Sequence, residues 1–334
     1  MKILLTGAGG LLGKKVAASL LSKGERDIRL HFRQHPPKDL LEDLRVSFPS
    51  ATIEPVFANL LNTNQIGNLV DGVDCVVHAA AGMRGAAADM FANSVIGTRN
   101  LLEAIGDQSV RRVVLISSFS VYRTANLNPG SLVTEETELE PDGPEKGSYG
   151  YAKTRQETLF RSLQAKHGFE SVILRPGVIY GPGSGALSPR VGIRALGYFF
   201  SLGGRAILPL TYVDNCAHAV AQAAISAPNN SVFNVVDDDL PTCNQYLREY
   251  RKRVAPMRTL SIPYWALLLG SRALVRYHRK SKGQLPAIFT PYVVRSMYRQ
   301  FQYSNAALKK IGWQPETSTS RAMEISFDHW REHL

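Results

Sequence analysis

The first two dozen residues constrain the fold more than any other stretch of the chain. An apolar run, Lys2 to Thr6, enters the turn Gly7-Ala8-Gly9-Gly10-Leu11-Leu12-Gly13. The next residues, Lys14 to Lys23, place apolar side chains at helical spacing until Gly24 closes the segment. Strand, glycine turn and helix, in that order, form the unit that seats a diphosphate. One glycine permits a turn with positive φ, one lets phosphate approach bare backbone, and one lets the helix pack tightly on the strand. The helix start adds free N–H donors and a partial positive charge. A glycine triplet alone is a weak signal, and its place between a first strand and an amphipathic helix is what points to a dinucleotide.

Alternation continues beyond this unit. Strands are expected at Ile28 to Phe32, Thr52 to Phe57, Cys75 to His78, Arg112 to Ser117 and Ser171 to Leu174, and helices around Thr63 to Val70, Phe91 to Ile105 and Tyr149 to Lys166. Such an order predicts an α/β fold, a doubly wound parallel sheet covered by helices on both faces. After Arg175 the pattern loosens into a Gly/Pro/Ser-rich loop, Gly181 to Pro189. Ala206 to Val213 and Val232 to Val236 read as strands returning to the main sheet, and Pro241 to Leu334 is mostly helical. The expected division is a dinucleotide-binding domain over 1–175, with returning strands at about 206–236, and a smaller, mostly helical substrate lobe from 176–205 and 237–334.

Composition excludes several classes. Among 334 residues, 44% are hydrophobic and 20% charged, which is globular rather than disordered or coiled-coil. Cys75, Cys216 and Cys243 are far apart, without the spacing of a disulfide framework or a zinc site, so no metal is expected and a reducing compartment fits. The opening apolar run is too short for a signal peptide, and no run of about 18 apolar residues exists to span a bilayer. Ile262 to Leu269 is interrupted by Pro263 and ended by Gly270 and Arg272, so at most it lies on a membrane surface. The expected location is the cytoplasm, with peripheral membrane contact as an option.

The net charge of +11 is unevenly placed. Between Arg248 and Lys310 stand fourteen lysines and arginines against one acid, Glu249, a net +13, while the rest of the chain carries 25 basic and 27 acidic residues, a net −2. This is no uniformly basic nucleic-acid binder. A local patch facing phosphates, anionic lipid or an acidic partner fits, and so does a merely solvated cationic surface.

The same reading separates the two nicotinamide cofactors. Where an NAD site keeps an acid, about 20 residues past the glycine turn, this chain has Leu30-His31-Phe32-Arg33-Gln34. No carboxylate is present for a ribose 2′-hydroxyl, whereas Arg33 offers a charge-assisted fork to a 2′-phosphate. NADP is favoured, NAD stays possible, and the alternative is an exposed arginine without a ligand.

Chemistry enters with Tyr149-Gly150-Tyr151-Ala152-Lys153, a phenol and an ammonium four residues apart on one helix face. A nearby cation lowers a phenol's pKa toward working pH, as a proton donor for an alcohol/ketone pair requires. One Tyr-x-x-x-Lys match is nearly expected by chance. The run Leu115-Ile116-Ser117-Ser118-Phe119-Ser120-Val121-Tyr122 supplies context, because it delivers hydroxyls at the carboxyl edge of a strand, where ligands bind in open α/β sheets.

Here the chain resembles the extended short-chain dehydrogenases/reductases, the NAD-dependent epimerase/dehydratase family. The matching elements occur in family order over nearly the whole chain. They are Thr6-Gly7-x-x-Gly10-x-x-Gly13, His78-Ala79-Ala80-Ala81, Asn93 with Gly97-Thr98-Arg99-Asn100-Leu101, Ser117-Ser118, Tyr149 with Lys153, Arg175-Pro176-Gly177 to Tyr180-Gly181-Pro182, and Tyr212-Val213-Asp214-Asn215. The resemblance implies a Rossmann-type sheet, Tyr149 as general acid/base, Lys153 tuning it and holding the nicotinamide ribose, and Ser118 bonding the substrate oxygen. It further implies cofactor contacts from Thr6, Gly7, Gly9, Gly10, Leu11, Leu12, Gly13, Asn59, Leu60, Ala79, Ala80, Ala81, Ser117, Pro176, Gly177 and Val178, Asn93 near the sheet edge, and a homodimer. Two departures stand out: Arg33 replaces the usual acid, and Asn59-Leu60 replaces the Asp-Leu or Asp-Ile that touches adenine in many relatives.

Plainer roles compete for several residues. Ser117 and Ser120 serve as strand-end caps, Tyr151 as packing, His78 as a strand-end histidine, and Asp237-Asp238-Asp239 as a solvated turn before Pro241. For the substrate, Pro263-Tyr264-Trp265-Ala266-Leu267-Leu268-Leu269 and the helix-like Pro291 to Phe301, carrying Tyr292, Arg295, Tyr298, Arg299 and Phe301, resemble the 3β-hydroxysteroid dehydrogenase and dihydroflavonol reductase branch. The expectation is hydride transfer to a hydrophobic, sterol-like or otherwise lipophilic ketone or secondary alcohol. The alternatives are a nucleotide-sugar epimerase, dehydratase or 4-ketoreductase, and a non-catalytic NADP-binding regulator.

Overall fold

A computed structural model describes residues 1–83, 85–106, 110–141, 147–280 and 289–333. Its first half alternates as the sequence predicts: β1 (Lys2–Thr6), α1 (Leu11–Ser22), β2 (Asp27–Phe32), α2 (Leu40–Ser47), β3 (Thr52–Phe57), α3 (Gly67–Val70), β4 (Cys75–His78), α4 (Ala87–Phe91), α5 (Gly97–Ile105), β5 (Arg112–Ile116), β6 (Leu132–Val133), α6 (Gly147–His167) and β7 (Glu170–Pro176). Then follow β8 (Val178–Tyr180), β9 (Gly192–Ala195), β10 (Tyr198–Ser201), β11 (Leu210–Tyr212), α7 (Val213–Ser226), β12 (Ser231–Val235), α8 (Cys243–Arg253), β13 (Thr259–Ser261), α9 (Tyr264–Lys280), α10 (Pro291–Tyr298), β14 (Gln302–Tyr303), α11 (Ala306–Lys310) and α12 (Thr319–Glu332).

Seven parallel strands form one sheet in the order β12-β7-β5-β4-β1-β2-β3. Side chains alternate between its two faces, and both faces are apolar, because helices cover each. Ile3, Leu5, Val77, Val114 and Leu174 join one core with Val16 and Leu20 of α1 and the small residues Ala217, Val220 and Ala224 of α7. Leu4, Val76, Val113, Leu115 and Ile173 join the other with Leu101 and Leu102 of α5 and Phe160 and Leu163 of α6. The strand order reverses between β1 and β4, and a ligand crevice opens at the carboxyl ends of such a pair.

Three expectations change. The segment around Ala206 to Val213 does not rejoin the main sheet: β11 pairs with β8, which turns away from β7 after Pro176. Only Ser231–Val235 returns, beside β7. The helix expected around Thr63 to Val70 splits at Ile66 into a 3₁₀ turn, Thr63–Gln65, capped by the Asn62 side chain, and α3. The helix expected from Phe91 contains a π turn, Ala92–Ile96, which carries Asn93 and Ser94. The helical C-terminal part is present. Within it α11 and Trp313 pack on the first core rather than away from it, with Trp313 Nε1 donating to Asn215 O at 3.2 Å.

Candidate active site

The glycine turn meets the end of β4 at the switch point. Gly7 has φ +71°, and a Cβ there would lie 2.9 Å from Ala80 Cα; a Cβ on Gly13 would lie 2.1 Å from Gly7 O. These positions accept only glycine because the turn, the helix and the β4 loop are in backbone contact. Gly10 caps α1 without any side-chain acceptor, so the first N–H groups of the helix face the crevice. The cradle therefore fits a diphosphate.

The crevice opens into a cavity of about 1260 Å³. Its lining includes Gly7, Gly9, Gly10, Leu11, Leu12, Gly13, Arg33, Asn59, Leu60, Ala79, Ala80 and Ala81 at one end, Ser117, Ser118, Tyr149 and Lys153 in the middle, and Pro176, Gly177 and Val178 beyond them. Of the residues expected to carry catalysis or touch the cofactor, Thr6 alone is not on the wall. Its hydroxyl is buried against His78 Nδ1 at 2.8 Å and Ala80 N at 3.3 Å. Arg33 stands exposed at the rim, with Nη1 3.5 Å from Asn93 Oδ1 on the π turn. Asn59 Oδ1 already accepts from Leu61 N at 3.1 Å, which ties the amide into a local turn.

β5 ends at Ile116 and delivers two serines with different tasks. Ser117 Oγ donates to Glu157 at 2.7 Å, so its hydroxyl serves the framework. Ser118, in extended backbone, caps the following turn by accepting from Ser120 N at 3.2 Å, and its hydroxyl also bonds the Tyr149 phenol. Burial pushes the Tyr149 pKa above that of a free phenol, more than the Ser118 hydrogen bond pulls it down. Tyr151 stacks on Phe91 with ring centroids 6.0 Å apart.

Lys153 is held by two hydrogen bonds within the protein. Its Nζ donates to Ile116 O at 2.8 Å and Gln156 Oε1 at 2.9 Å rather than to the phenol. Burial, opposed by Glu157, lowers its pKa to about 8. Gln156 Nε2 in turn donates to Thr98 Oγ1 at 2.8 Å, and His78 Nε2 meets the same oxygen at 2.8 Å. Since Thr98 donates to Ser94 O, it must accept from both, which places the His78 proton on Nε2 and leaves Nδ1 to accept from Thr6. His78 is buried and neutral, with its pKa lowered to about 3 by desolvation. A chain of hydrogen bonds thus runs from the β1 end through His78, Thr98 and Gln156 to Lys153. The sequence marked Thr98 only as part of a family pattern and Gln156 not at all.

A second network lies beneath the serines. Arg175 and Glu157, with side chains 2% and 1% exposed, form a buried ion pair. Arg175 also donates to Tyr122 Oη at 2.9 Å, and Tyr122 donates to Asn234 Oδ1 at 2.6 Å. The expected solvated acidic turn is a further correction. Asp237 is 2% exposed and accepts from Tyr212 N at 2.8 Å and Asn215 Nδ2 at 2.9 Å, while Asp238 pairs with Lys309.

Comparison with known proteins agrees with this geometry. The family model described as the NAD dependent epimerase/dehydratase family matches residues 3–235. The chain is 25% identical to the uncharacterized protein YbjS of Escherichia coli (strain K12) over 348 aligned positions, 100% of this chain and 98% of that protein. It is 31% identical to the 2-alkyl-3-oxoalkanoate reductase of Stenotrophomonas maltophilia (strain K279a) over 224 positions, 66% of this chain and 64% of that protein. In fold it is similar to UDP-glucuronic acid 4-epimerase from Bacillus cereus in complex with NAD, with TM-score 0.71 and 20% identity over 100% of this chain and 99% of that one. With more than half of its length matched by the family model, the chain belongs to the NAD-dependent epimerase/dehydratase family and is an NAD(P)-dependent oxidoreductase of the extended short-chain dehydrogenase/reductase type.

Proposed function

We propose that the protein is an NADP-linked reductase of a ketone on a largely apolar substrate. The observation that carries this is the Ser118 hydroxyl bonded to a protonated Tyr149 at the middle of the cavity, between the glycine cradle and a wall of Phe119, Ile179, Pro209, Val293 and Met297. The cofactor, held by the glycine turn, Ala79 to Ala81 and Lys153, would supply a hydride to the carbonyl carbon. Ser118 holds the substrate oxygen, and Tyr149 gives that oxygen its proton as the C=O bond becomes CH–OH. The raised Tyr149 pKa keeps the phenol protonated at neutral pH, which suits reduction. Lys153 balances the phenolate left behind, and solvent returns the proton. Arg33 at the rim would hold the 2′-phosphate of NADP. The reductase name of the Stenotrophomonas relative supports the same reading.

Replacing Tyr149 by Phe tests it. NADPH consumption with a medium-chain ketone should fall about 1000-fold, within the usual range for a general acid, while NADPH fluorescence titration stays near wild type. Retained turnover overturns the assignment. The competing nucleotide-sugar reading makes a different prediction, in which UDP-glucose is converted without net NADPH consumption.

A peripheral membrane contact belongs to the same proposal. The outer face of α9 presents Trp265 and Leu269, 66% and 54% exposed, beside Arg272, Arg276 and Lys280. No helix among the described residues is long and apolar enough to cross a membrane. Trp265→Ser should reduce cosedimentation with phosphatidylserine vesicles, and salt should weaken what remains. Indifference to both removes the contact.

A further inference from the structure

We infer that Arg190 binds an acidic group on the substrate, so that the ketone reduced here belongs to a carboxylic acid. This deepens the reductase reading and rests on it. Arg190 lies in the loop before β9 and lines the cavity with Ser188 and, from α10, Val293, Ser296 and Met297. Its Nη1 donates to Met297 O at 3.3 Å. Its side chain also bonds the Tyr303 hydroxyl, and Tyr298 and Cys243 sense its charge; burial raises the pKa of all three, so none is an anion at neutral pH.

The contrast with the sheet's arginines is informative. Arg29, Arg112 and Arg175 are each buried and each paired with a carboxylate, on Glu54, Glu170 and Glu157. Arg190 is half-buried, yet among the described residues it has no acidic partner. A partly desolvated charge without a counter-ion is costly unless a ligand supplies one. The guanidinium's planar fork matches a carboxylate. Among the described residues, the other lysine and arginine side chains on the cavity wall are Arg33 and Lys153, which the proposed function places on the cofactor's side. One cation balances a carboxylate, whereas a nucleotide diphosphate brings two charges. The surrounding Val293, Met297, Ile179 and Pro209 then cover an alkyl chain.

The test compares 3-oxodecanoic acid with its methyl ester, using NADPH, wild type and R190Q. In the wild type kcat/KM for the acid should exceed that for the ester by about 10- to 100-fold, the range expected of hydrogen bonds to a charged group. In R190Q the ratio should collapse to about one. A ratio that is the same in both proteins overturns the inference. A binding measurement keeps it separable from the reductase reading: with NADP present, decanoic acid should raise Tm more than methyl decanoate in the wild type and not in R190Q. Equal shifts overturn Arg190 even if turnover is never found, whereas loss of turnover alone, with the acid-specific shift intact, overturns the reductase reading. Protection by UDP-glucose that R190Q abolishes, with no effect of decanoic acid, assigns Arg190 to a diphosphate and also overturns it.

Discussion

Replacing Gln156 by Leu should move the upper limb of the pH–rate profile downward. Lys153 is 4% exposed and its ammonium has two hydrogen-bond acceptors, Ile116 O at 2.8 Å and Gln156 Oε1 at 2.9 Å. Leucine keeps the bulk and removes one acceptor. A hydrogen bond to a charged donor contributes about 1.5–3 kcal/mol and a neutral one about 1, so the charged form loses about 1–2 kcal/mol of preference. That corresponds to roughly one pH unit. Lys153 is already lowered to about 8 by burial, and in the proposed mechanism its cation balances the Tyr149 phenolate. Activity should therefore begin to fall about one unit earlier as pH rises. Gln156→Glu should move the limb the other way, because a carboxylate favours the ammonium. The assay is kcat/KM for ketone reduction from pH 6 to about 10, fitted for its high-pH limb. A uniform loss at every pH, with the limb fixed in both variants, would mean that Gln156 only fills space and would refute the reasoning.

Other expectations follow from the same contacts. Glu157→Leu strands the Arg175 guanidinium and should lower stability by about 3–5 kcal/mol, measured by urea unfolding, whereas adding Arg175→Met should restore part of it; simple additivity of the two losses contradicts a coupled pair. Arg33→Glu should weaken NADP far more than NAD in fluorescence titrations, and equal losses exclude a 2′-phosphate contact. Burial lowers the His78 pKa from 6.5 to about 3, so the unfolded chain takes up a proton first as pH falls. Stability should be unaffected by this group above pH 6.5 and drop below it by about 1.4 kcal/mol per unit, with His31, lowered by burial as well, adding in the same sense. A flat urea midpoint between pH 7 and 5 would contradict that.

The sheet was legible in the sequence because its strands are short apolar runs and its first turn tolerates only glycine at Gly7 and Gly13. The site was legible where chemistry coincides with local spacing, as with Tyr149 and Lys153 on one helix face. What sequence could not show is pairing across the fold. Gln156 reaches Thr98 across 58 positions, and nothing local marks either as a partner of Lys153. Asp237 looks like a solvated acid until Tyr212 N and Asn215 are placed around it. β11 fails to rejoin the main sheet because β8, its partner, has already turned away, a consequence of topology rather than of propensity.

Trp313 carries a lesson about cutting this molecule. Its indole and Leu308 share the apolar layer that begins with Ile3, and Gln222 of α7 donates to Ile311 O at 2.9 Å. A fragment trimmed after β12 would keep every strand of the seven-stranded sheet and still present an open oily notch along α7. Residues 306–313 act as the missing plank of the first-built wall, so attempts to isolate the nucleotide-binding half should carry that plank along, by fusion or in trans.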